Sequence, residues 1–238
     1  IRIGLKNIKI KTLKYLTQAG GKLEKKKLKK IINFCKKNNI KFFSMYGQTE
    51  ASPRISYLKP KFSKKKIGSI GKGLSGNKIY IINNNGKKIL KPYVEGEIVN
   101  EGKNVFMGYS KNYNDLNKPN EKNYKLKTGD LGFFDKDGFF FITSRISRIA
   151  KIFGNRVDLG DIESFMSQKN YKVVCLSDNN KIFIFIEKNY NKTNLINTIS
   201  KITNLNINSF ELIKLKYFPR TSNNKVSYSE LKKNNARL

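Results

Sequence analysis

Histidine is absent from this sequence, and its absence excludes more chemistry than any other compositional feature. Without an imidazole there is no Ser-His-Asp or Cys-His nucleophilic machinery, and the commonest zinc ligand is gone. Cysteine occurs twice, at Cys35 and Cys175, too far apart for metal-ligand spacing. Each sits among apolar neighbours, so both read as small, reduced core residues. Tryptophan is missing, prolines number five, and no proline-rich spacer of the kind that tethers a free domain occurs. No apolar run approaches the roughly 20 residues of a membrane span and nothing resembles a signal peptide, so a cytoplasmic protein is the default expectation. Acidic residues are few, 17 against 49 Lys and Arg, which leaves a net charge of +32. Such a chain attracts any polyphosphate through counterion release. Lysine, however, carries nearly all of that charge and is spread over the whole length, while arginine is scarce. Base readers concentrate Arg and aromatics on one element, so nucleic acid is expected to bind only non-specifically.

Any chemistry must therefore run on Lys, Arg, carboxylates, hydroxyls and a hard metal. The segment Met45-Tyr46-Gly47-Gln48-Thr49-Glu50 gathers the right types. The Tyr46 ring offers a face for a purine, and Gly47 permits a conformation or close approach that a Cβ would block. Thr49 can bond a phosphate oxygen, and Glu50 can hold a magnesium ion. The competing reading is a turn after the strand 41–45, with Glu50 capping the next element.

At 238 residues the chain can hold one large domain or two smaller ones. It opens at Ile1 in a strand-like run and reads as the continuation of a longer polypeptide. Apolar positions continue irregularly over residues 5–18. A lysine-rich helix comes after Ala19-Gly20-Gly21, with Leu28, Ile31, Ile32 and Cys35 on its buried face. Asn38-Asn39 then turns into the strand that delivers 46–50 at its end, where α/β sheets favour ligands. From about 66 to 143 short strands alternate with glycine turns. Lys78–Ile82 and Lys87–Leu90 form a hairpin around Asn83–Gly86, Gly96–Asn100 is a strand, and Asp135–Gly138 turns into Phe139–Thr143. Residues 149–238 read as strand, helix, two strands, helix, strand, loop and final helix. The helices there carry Ile162, Phe165 and Met166, and Leu195, Ile196, Ile199 and Ile202, and the paired strands cover 172–176 and 181–187.

Ile67-Gly68-Ser69-Ile70-Gly71-Lys72, Glu95-Gly96-Glu97-Ile98, Gly108-Tyr109 and Thr128-Gly129-Asp130 succeed one another along the chain. Then come Arg145 through Lys151, Gly154-Asn155-Arg156-Val157 and Glu163. In this order and spacing they resemble the adenylate-forming superfamily of acyl-CoA synthetases, luciferases and peptide-synthetase adenylation domains. The resemblance implies a fold that is α/β with α+β, here in three parts. Residues 1–65 are expected to be the tail of a large α/β domain, 66–144 its β-barrel-like subdomain, and 145–238 a small mobile C-terminal α+β lid. It also implies roles. Gly20, Gly21 and Tyr46 wall the adenine pocket with Gly47 beside them, Thr49 contacts the α-phosphate, and Glu50 binds magnesium. Asp130 bonds the ribose hydroxyls, a role suited to an anionic acceptor facing two donors, with a strand-end turn residue as its alternative. Arg145 contacts ribose and phosphate, with a plain surface cation as its alternative.

Pro219-Arg220-Thr221-Ser222-Asn223-Asn224-Lys225-Val226 resembles the family loop that carries the catalytic lysine, Lys225 here, and Ser227-x-x-Glu230 is a capping box entering a helix. Asn224 stands where glycine is usual, and Ser147 at a hinge position that is usually Asp or Lys. The implied activity is an ATP- and Mg2+-dependent, AMP-forming ligase joining a carboxylic acid to a thiol, either coenzyme A or carrier-protein phosphopantetheine. A carboxylate needs no general base, which fits a chain without histidine. The Gly/Ser/Thr-rich phosphate loop does not occur in the sequence. The chain is thus expected to be a C-terminal portion lacking an N-terminal segment and not to turn over alone. The alternatives are a split or non-catalytic nucleotide-binding subunit and a basic polyanion-binding module.

Overall fold

A computed structural model of the chain describes residues 11–21, 23–120, 122–178, 181–222 and 224–235. The strand-like opening at Ile1, the first part of the 5–18 run, Lys22 and Asn223 lie outside these residues. The chain divides into two compact units, Ile1–Thr143 and Ser144–Leu238.

In the first unit, β1 (Tyr15–Gln18) leads to α1 (Lys25–Lys37) and β2 (Lys41–Tyr46). Leu28, Ile31, Ile32 and Cys35 are the buried residues of α1. Their spacing lines one stripe of a 3.6-residue helix, and burial of each aliphatic side chain contributes roughly 1.5–3 kcal/mol. They pack with Ile40 and Phe42. Lys36 and Lys37 lie in the last turn, where cations suit the helix dipole, and Asn39 turns the chain with φ of 58°. Next along the chain are β3 (Ser56–Leu58), β4 (Ser69–Gly73), β5 (Lys78–Ile82), β6 (Lys88–Ile89), β7 (Gly96–Glu101), β8 (Lys125–Phe134) and β9 (Phe140–Arg145), the last of which contains the division between the units.

Among the described residues these nine strands form one open sheet, in the order β1-β2-β3-β4-β9-β8-β7-β5-β6. It is bounded by β1 and β6 and does not close on itself. β1 and β2 run parallel, in register Gln18↔Ser44, so residues 19–21 and 46–50 emerge at the same end of the sheet. The expected hairpin is present, with Ile81↔Ile89 paired and Gly86 at φ of 75°. A core of Tyr46, Ala51, Ile55, Ile70, Ile81, Ile98, Val105, Leu126 and Phe140 ties the 46–51 segment to the glycine-rich strands. Gly71 is required by packing: its φ is +83°, and an added Cβ would lie 1.8 Å from the Tyr57 carbonyl oxygen.

The second unit opens with a hairpin of β10 (Ile149–Ile152) and β11 (Asn155–Asp158), where the sequence reading expected a single strand. The turn residues Phe153 and Gly154 both have positive φ, 46° and 80°, which is the geometry of a two-residue hairpin turn. After it come α2 (Leu159–Gln168), β12 (Val173–Asp178), β13 (Lys181–Ile186), α3 (Lys192–Thr203), β14 (Phe210–Lys214) and α4 (Tyr228–Lys233). The strands pair in the order β12-β13-β14. Alternation along β13 divides two cores. Ile182, Ile184 and Ile186 pack with Ile162, Met166, Leu195 and Ile199 of α2 and α3. Phe183 and Phe185 pack with Phe218 and with Leu231 of α4. Both cysteines are free and buried. No helix of the described residues is long and apolar enough to cross a membrane.

Candidate nucleotide site

Tyr46 is the last residue of β2, and its O–H donates to Asp130 Oδ2 at 2.7 Å. Gln48 Nε2 donates to the Thr128 carbonyl oxygen at 2.7 Å and to Asp130 Oδ2 at 3.3 Å. The partners are 80 or more residues apart in sequence, yet they form one cluster at the end of β2. Asp130 and Tyr46 are 5% and 9% exposed. Burial and the Asp130 carboxylate push the Tyr46 hydroxyl well above its ordinary pKa, which keeps it protonated as a donor. The ring is largely covered by the core, so the hydroxyl edge is its main contribution at Asp130.

Asp130 lies inside β8, not at a strand-end turn. The β7–β8 register shifts between Glu97 and Val99, and Gly129 opposite has φ of +70°. This is a glycine bulge, a device that re-aims a side chain without ending a strand. The bulge is pinned by Thr128 Oγ1 donating to Ile98 O at 2.8 Å, Asp130 N donating to Thr128 Oγ1 at 3.1 Å, and Gly129 N donating to Glu97 Oε1 at 3.1 Å.

Gly47 packs where no side chain fits: a Cβ would lie 1.8 Å from Pro53 O. The chain then passes through extended Gln48 into the turn Thr49–Ala51. Ala51 is buried, Thr49 is exposed and Glu50 is half-buried. The Tyr109 O–H donates to Glu50 Oε1, and the Phe106 N–H to Glu50 O at 2.9 Å. Gly20 and Gly21 come directly after β1 and line a cleft of about 400 Å³ with Thr17, Gln18, Ala19 and Leu23. A Cβ on either glycine would meet nothing within 4 Å, so both face open space. Ser44 Oγ donates to Gln18 Oε1 at 3.1 Å, and Gln18 Nε2 to Gly21 O, joining this cleft to β2.

Gly20, Gly21, Tyr46, Gly47, Thr49, Glu50 and Asp130 thus share one unit and one end of its sheet, while Arg145, Ser147 and Lys225 belong to the other unit. Arg145 ends β9 exposed, and Ser147 is exposed in the turn Ile146–Arg148. Lys225 is exposed on a loop closed by the bridge Arg220↔Val226. Its backbone is held from both sides, with Thr221 N donating to Lys225 O at 2.8 Å and Lys225 N donating to Thr221 Oγ1 at 3.3 Å. Asn224 adopts φ of +58°, the left-handed region that glycine favours and asparagine tolerates. Asn224 thus takes up a conformation that a glycine at this position would also allow. Ser227 caps α4, accepting from Glu230 N at 3.4 Å.

Three participants carried no role in the sequence reading: Gln48, Tyr109 and Glu163. Glu163 accepts from Arg148 Nη2 at 2.6 Å, from Cys175 N at 2.7 Å and from the Tyr228 O–H at 2.9 Å. Burial first, then the Glu163 carboxylate, push Tyr228 up to about 12. Gln48 lies within Met45–Glu50, Tyr109 within Gly108-Tyr109, and Glu163 follows Gly154-Asn155-Arg156-Val157, and that placement is their signal in the sequence.

Among the described residues no group of three or more His, Cys, Asp or Glu could form a protein metal cage. A single carboxylate at the cleft end suits magnesium, which is held by one or two carboxylates with phosphate oxygens and water.

A buried carboxylate, a glycine-lined cleft and an outlying acid thus gather at one end of the sheet. The family model described as AMP-binding enzyme matches residues 5–110. The chain is 34% identical to the 2-succinylbenzoate–CoA ligase of Bacillus subtilis (strain 168) over 136 residues, which are 57% of this chain and 27% of that protein. Its structure is similar to that of O-succinylbenzoate coenzyme A synthetase from Bacillus subtilis in complex with ATP and magnesium ion. The TM-score is 0.66 at 27% identity, and the match covers 92% of this chain and 46% of that one. It shares its fold with McyG A-PCP complexed with phenylalanyl-adenylate, at TM-score 0.69, 21% identity, and 98% and 46% coverage. The chain spans about a quarter of the length of the curated relative it matches and just under half of the solved chains.

Proposed function

We propose that the chain forms part of an ATP-dependent, AMP-forming acid–thiol ligase. The observation that carries this is the gathering of Tyr46, Gln48, Thr128 and Asp130 by hydrogen bonds of 2.7–3.3 Å, beside Thr49, Glu50 and the Gly20–Gly21 cleft. ATP is the substrate whose α-phosphorus accepts the carboxylate, and Mg2+ supplies neutralisation of phosphate charge. Asp130, oriented by Tyr46 and Gln48, accepts from the ribose hydroxyls. Gly20 and Gly21 give the purine a wall without side chains, with Tyr46 at its edge. Thr49 donates to a phosphate oxygen and Glu50 holds the cation. Arg145 and Lys225 supply positive charge as the phosphoryl group transfers, a stabilisation that needs no proton acceptor.

In this reading the glycine-rich strands are the barrel-like subdomain of a large domain, with 1–65 as its α/β tail. Residues 145–238 are the mobile lid, with Ser147 at the hinge. The thiol is coenzyme A or a phosphopantetheine arm, and the setting is the cytoplasm, where ATP and such thiols are abundant. In this reading a Gly/Ser/Thr-rich phosphate loop, which does not occur in this sequence, would complete the site around the β- and γ-phosphates.

The test is acid-dependent ATP–pyrophosphate exchange by the enzyme containing this chain, with 2-succinylbenzoate and a panel of aryl and aliphatic acids. Exchange with any acid, lost in Asp130→Ala, is the expected result. Absence of exchange over the whole panel overturns the reading in favour of a non-catalytic nucleotide-binding subunit.

A further inference from the structure

The segment Asn104–Tyr109 holds the Glu50–Arg54 loop at four points. Asn104 Nδ2 donates to Ala51 O at 2.9 Å and to Arg54 O at 2.8 Å, across Ser52 in the left-handed region at φ of 49°. The Phe106 N–H donates to Glu50 O at 2.9 Å. These three bonds fix the backbone of the loop. The fourth is different in kind: the Tyr109 O–H reaches the Glu50 carboxylate itself, at Oε1. The Tyr109 ring is held for that reach, lying edge-on to Phe106 with centroids 4.9 Å apart and planes at 74°. Tyr109 is 69% exposed, so burial does not explain its placement.

We propose that Tyr109 is the positioning residue of Glu50, setting the rotation of the carboxylate that takes a divalent cation carried on a nucleoside triphosphate. The inference rests on the nucleotide reading above and adds to it a residue outside the Tyr46–Glu50 segment. A glutamate with its backbone fixed still rotates about its terminal torsion. A donor on one oxygen removes that freedom and presents the carboxylate along one direction. Outer-shell donors of this kind change metal affinity by about 10–100-fold when removed. Phe106 couples the two grips, since its N–H holds the Glu50 backbone while its ring seats the tyrosine that holds the carboxylate.

The test uses Mn2+ as probe, with free Mn2+ monitored by electron paramagnetic resonance in the presence of a non-hydrolysable ATP analogue and the enzyme containing this chain. Tyr109→Phe keeps the ring on Phe106 and removes only the hydroxyl. The expected result is Mn2+ binding weakened about tenfold, with the melting temperature and metal-free analogue binding unchanged. Unchanged or tighter Mn2+ binding overturns the proposal. Glu50→Gln in the same titration separates the two layers. A shift in Glu50→Gln with none in Tyr109→Phe removes Tyr109 alone, and no shift in either removes the metal assignment on which its role depends.

Discussion

Gly47→Ala is the sharpest probe of how packing places the site. The added Cβ would lie 1.8 Å from Pro53 O, 2.8 Å from Pro53 C and 2.9 Å from Arg54 Cα. All three atoms are backbone, so no side chain can swing aside. Restoring an ordinary contact requires a displacement of more than about 1 Å, and overpacking of this kind costs about 1–3 kcal/mol. The segment that must give is the turn carrying Thr49 and Glu50, because it lies between Gly47 and Pro53 in sequence. A misplacement of binding groups by about 1 Å can lower turnover about 100-fold. Gly47→Ala should therefore lower pyrophosphate exchange by about that factor, and lower the melting temperature by roughly 4–10 °C for a unit of this size. Gly21→Ala is the internal control, since its Cβ meets nothing within 4 Å and its φ is not in the left-handed region. It should leave the melting temperature unchanged while weakening nucleotide binding. Gly47→Ala with exchange and melting both at the parent level would refute the packing argument.

Lys225→Ala should reduce exchange about 100–1,000-fold with no change in melting, because the side chain is exposed on its loop; full exchange removes the lysine from the chemistry. Glu163→Gln leaves Arg148 as a largely buried cation without its carboxylate. It should destabilise the second unit by about 3 kcal/mol, read as a fall in that unit's calorimetric transition. The Lys66, Asp135 and Asp137 cluster gives a pH signature. Burial works to raise the Asp135 pKa, but the Lys66 ammonium and the Phe139 and Asp137 N–H groups outweigh it and hold it low. Asp135 and then Asp137 raise that of Lys66. Asp135 therefore adds stability above the ordinary carboxylate range that is lost as pH falls through its lowered folded pKa. Lys66 adds stability below its unfolded pKa that is lost as pH rises through its raised folded value. The denaturation midpoint of Lys66→Ala should differ from the parent at neutral pH and converge on it in strong acid; a constant difference across that range refutes the linkage.

Much of the fold was legible because local periodicity and burial agree. The stripe Leu28, Ile31, Ile32 and Cys35, the Asn-rich hairpin and the apolar run 182–186 each carry one signal, and each became the element it predicts. The misses share a cause. The β10–β11 turn uses Phe153 at positive φ, a residue that gives no turn signal, so only Gly154 hinted at it. β8 runs through Thr128-Gly129-Asp130, three residues that read as a turn, because the glycine makes a bulge inside the strand instead of ending it. Turn chemistry and bulge chemistry use the same residues. Pairing with β7 decides between them, and pairing is not a local property.

The site divides along the same line. The residues proposed to carry the chemistry were picked out by type and order, since a carboxylate, a hydroxyl and a glycine at motif spacing are recognisable one at a time. What holds them was not. Tyr46 and Gln48 reach Asp130 across more than 80 residues, and Tyr109 reaches Glu50 across 59, separations at which no periodicity operates. Asn224 shows the converse. The sequence flags it as a departure from glycine, whereas its φ of +58° shows the departure to be nearly silent in the backbone. Asparagine is among the few residues that occupy this region at small cost. Substituting a β-branched residue there would strain the loop, so the position before Lys225 constrains backbone conformation more than side-chain identity.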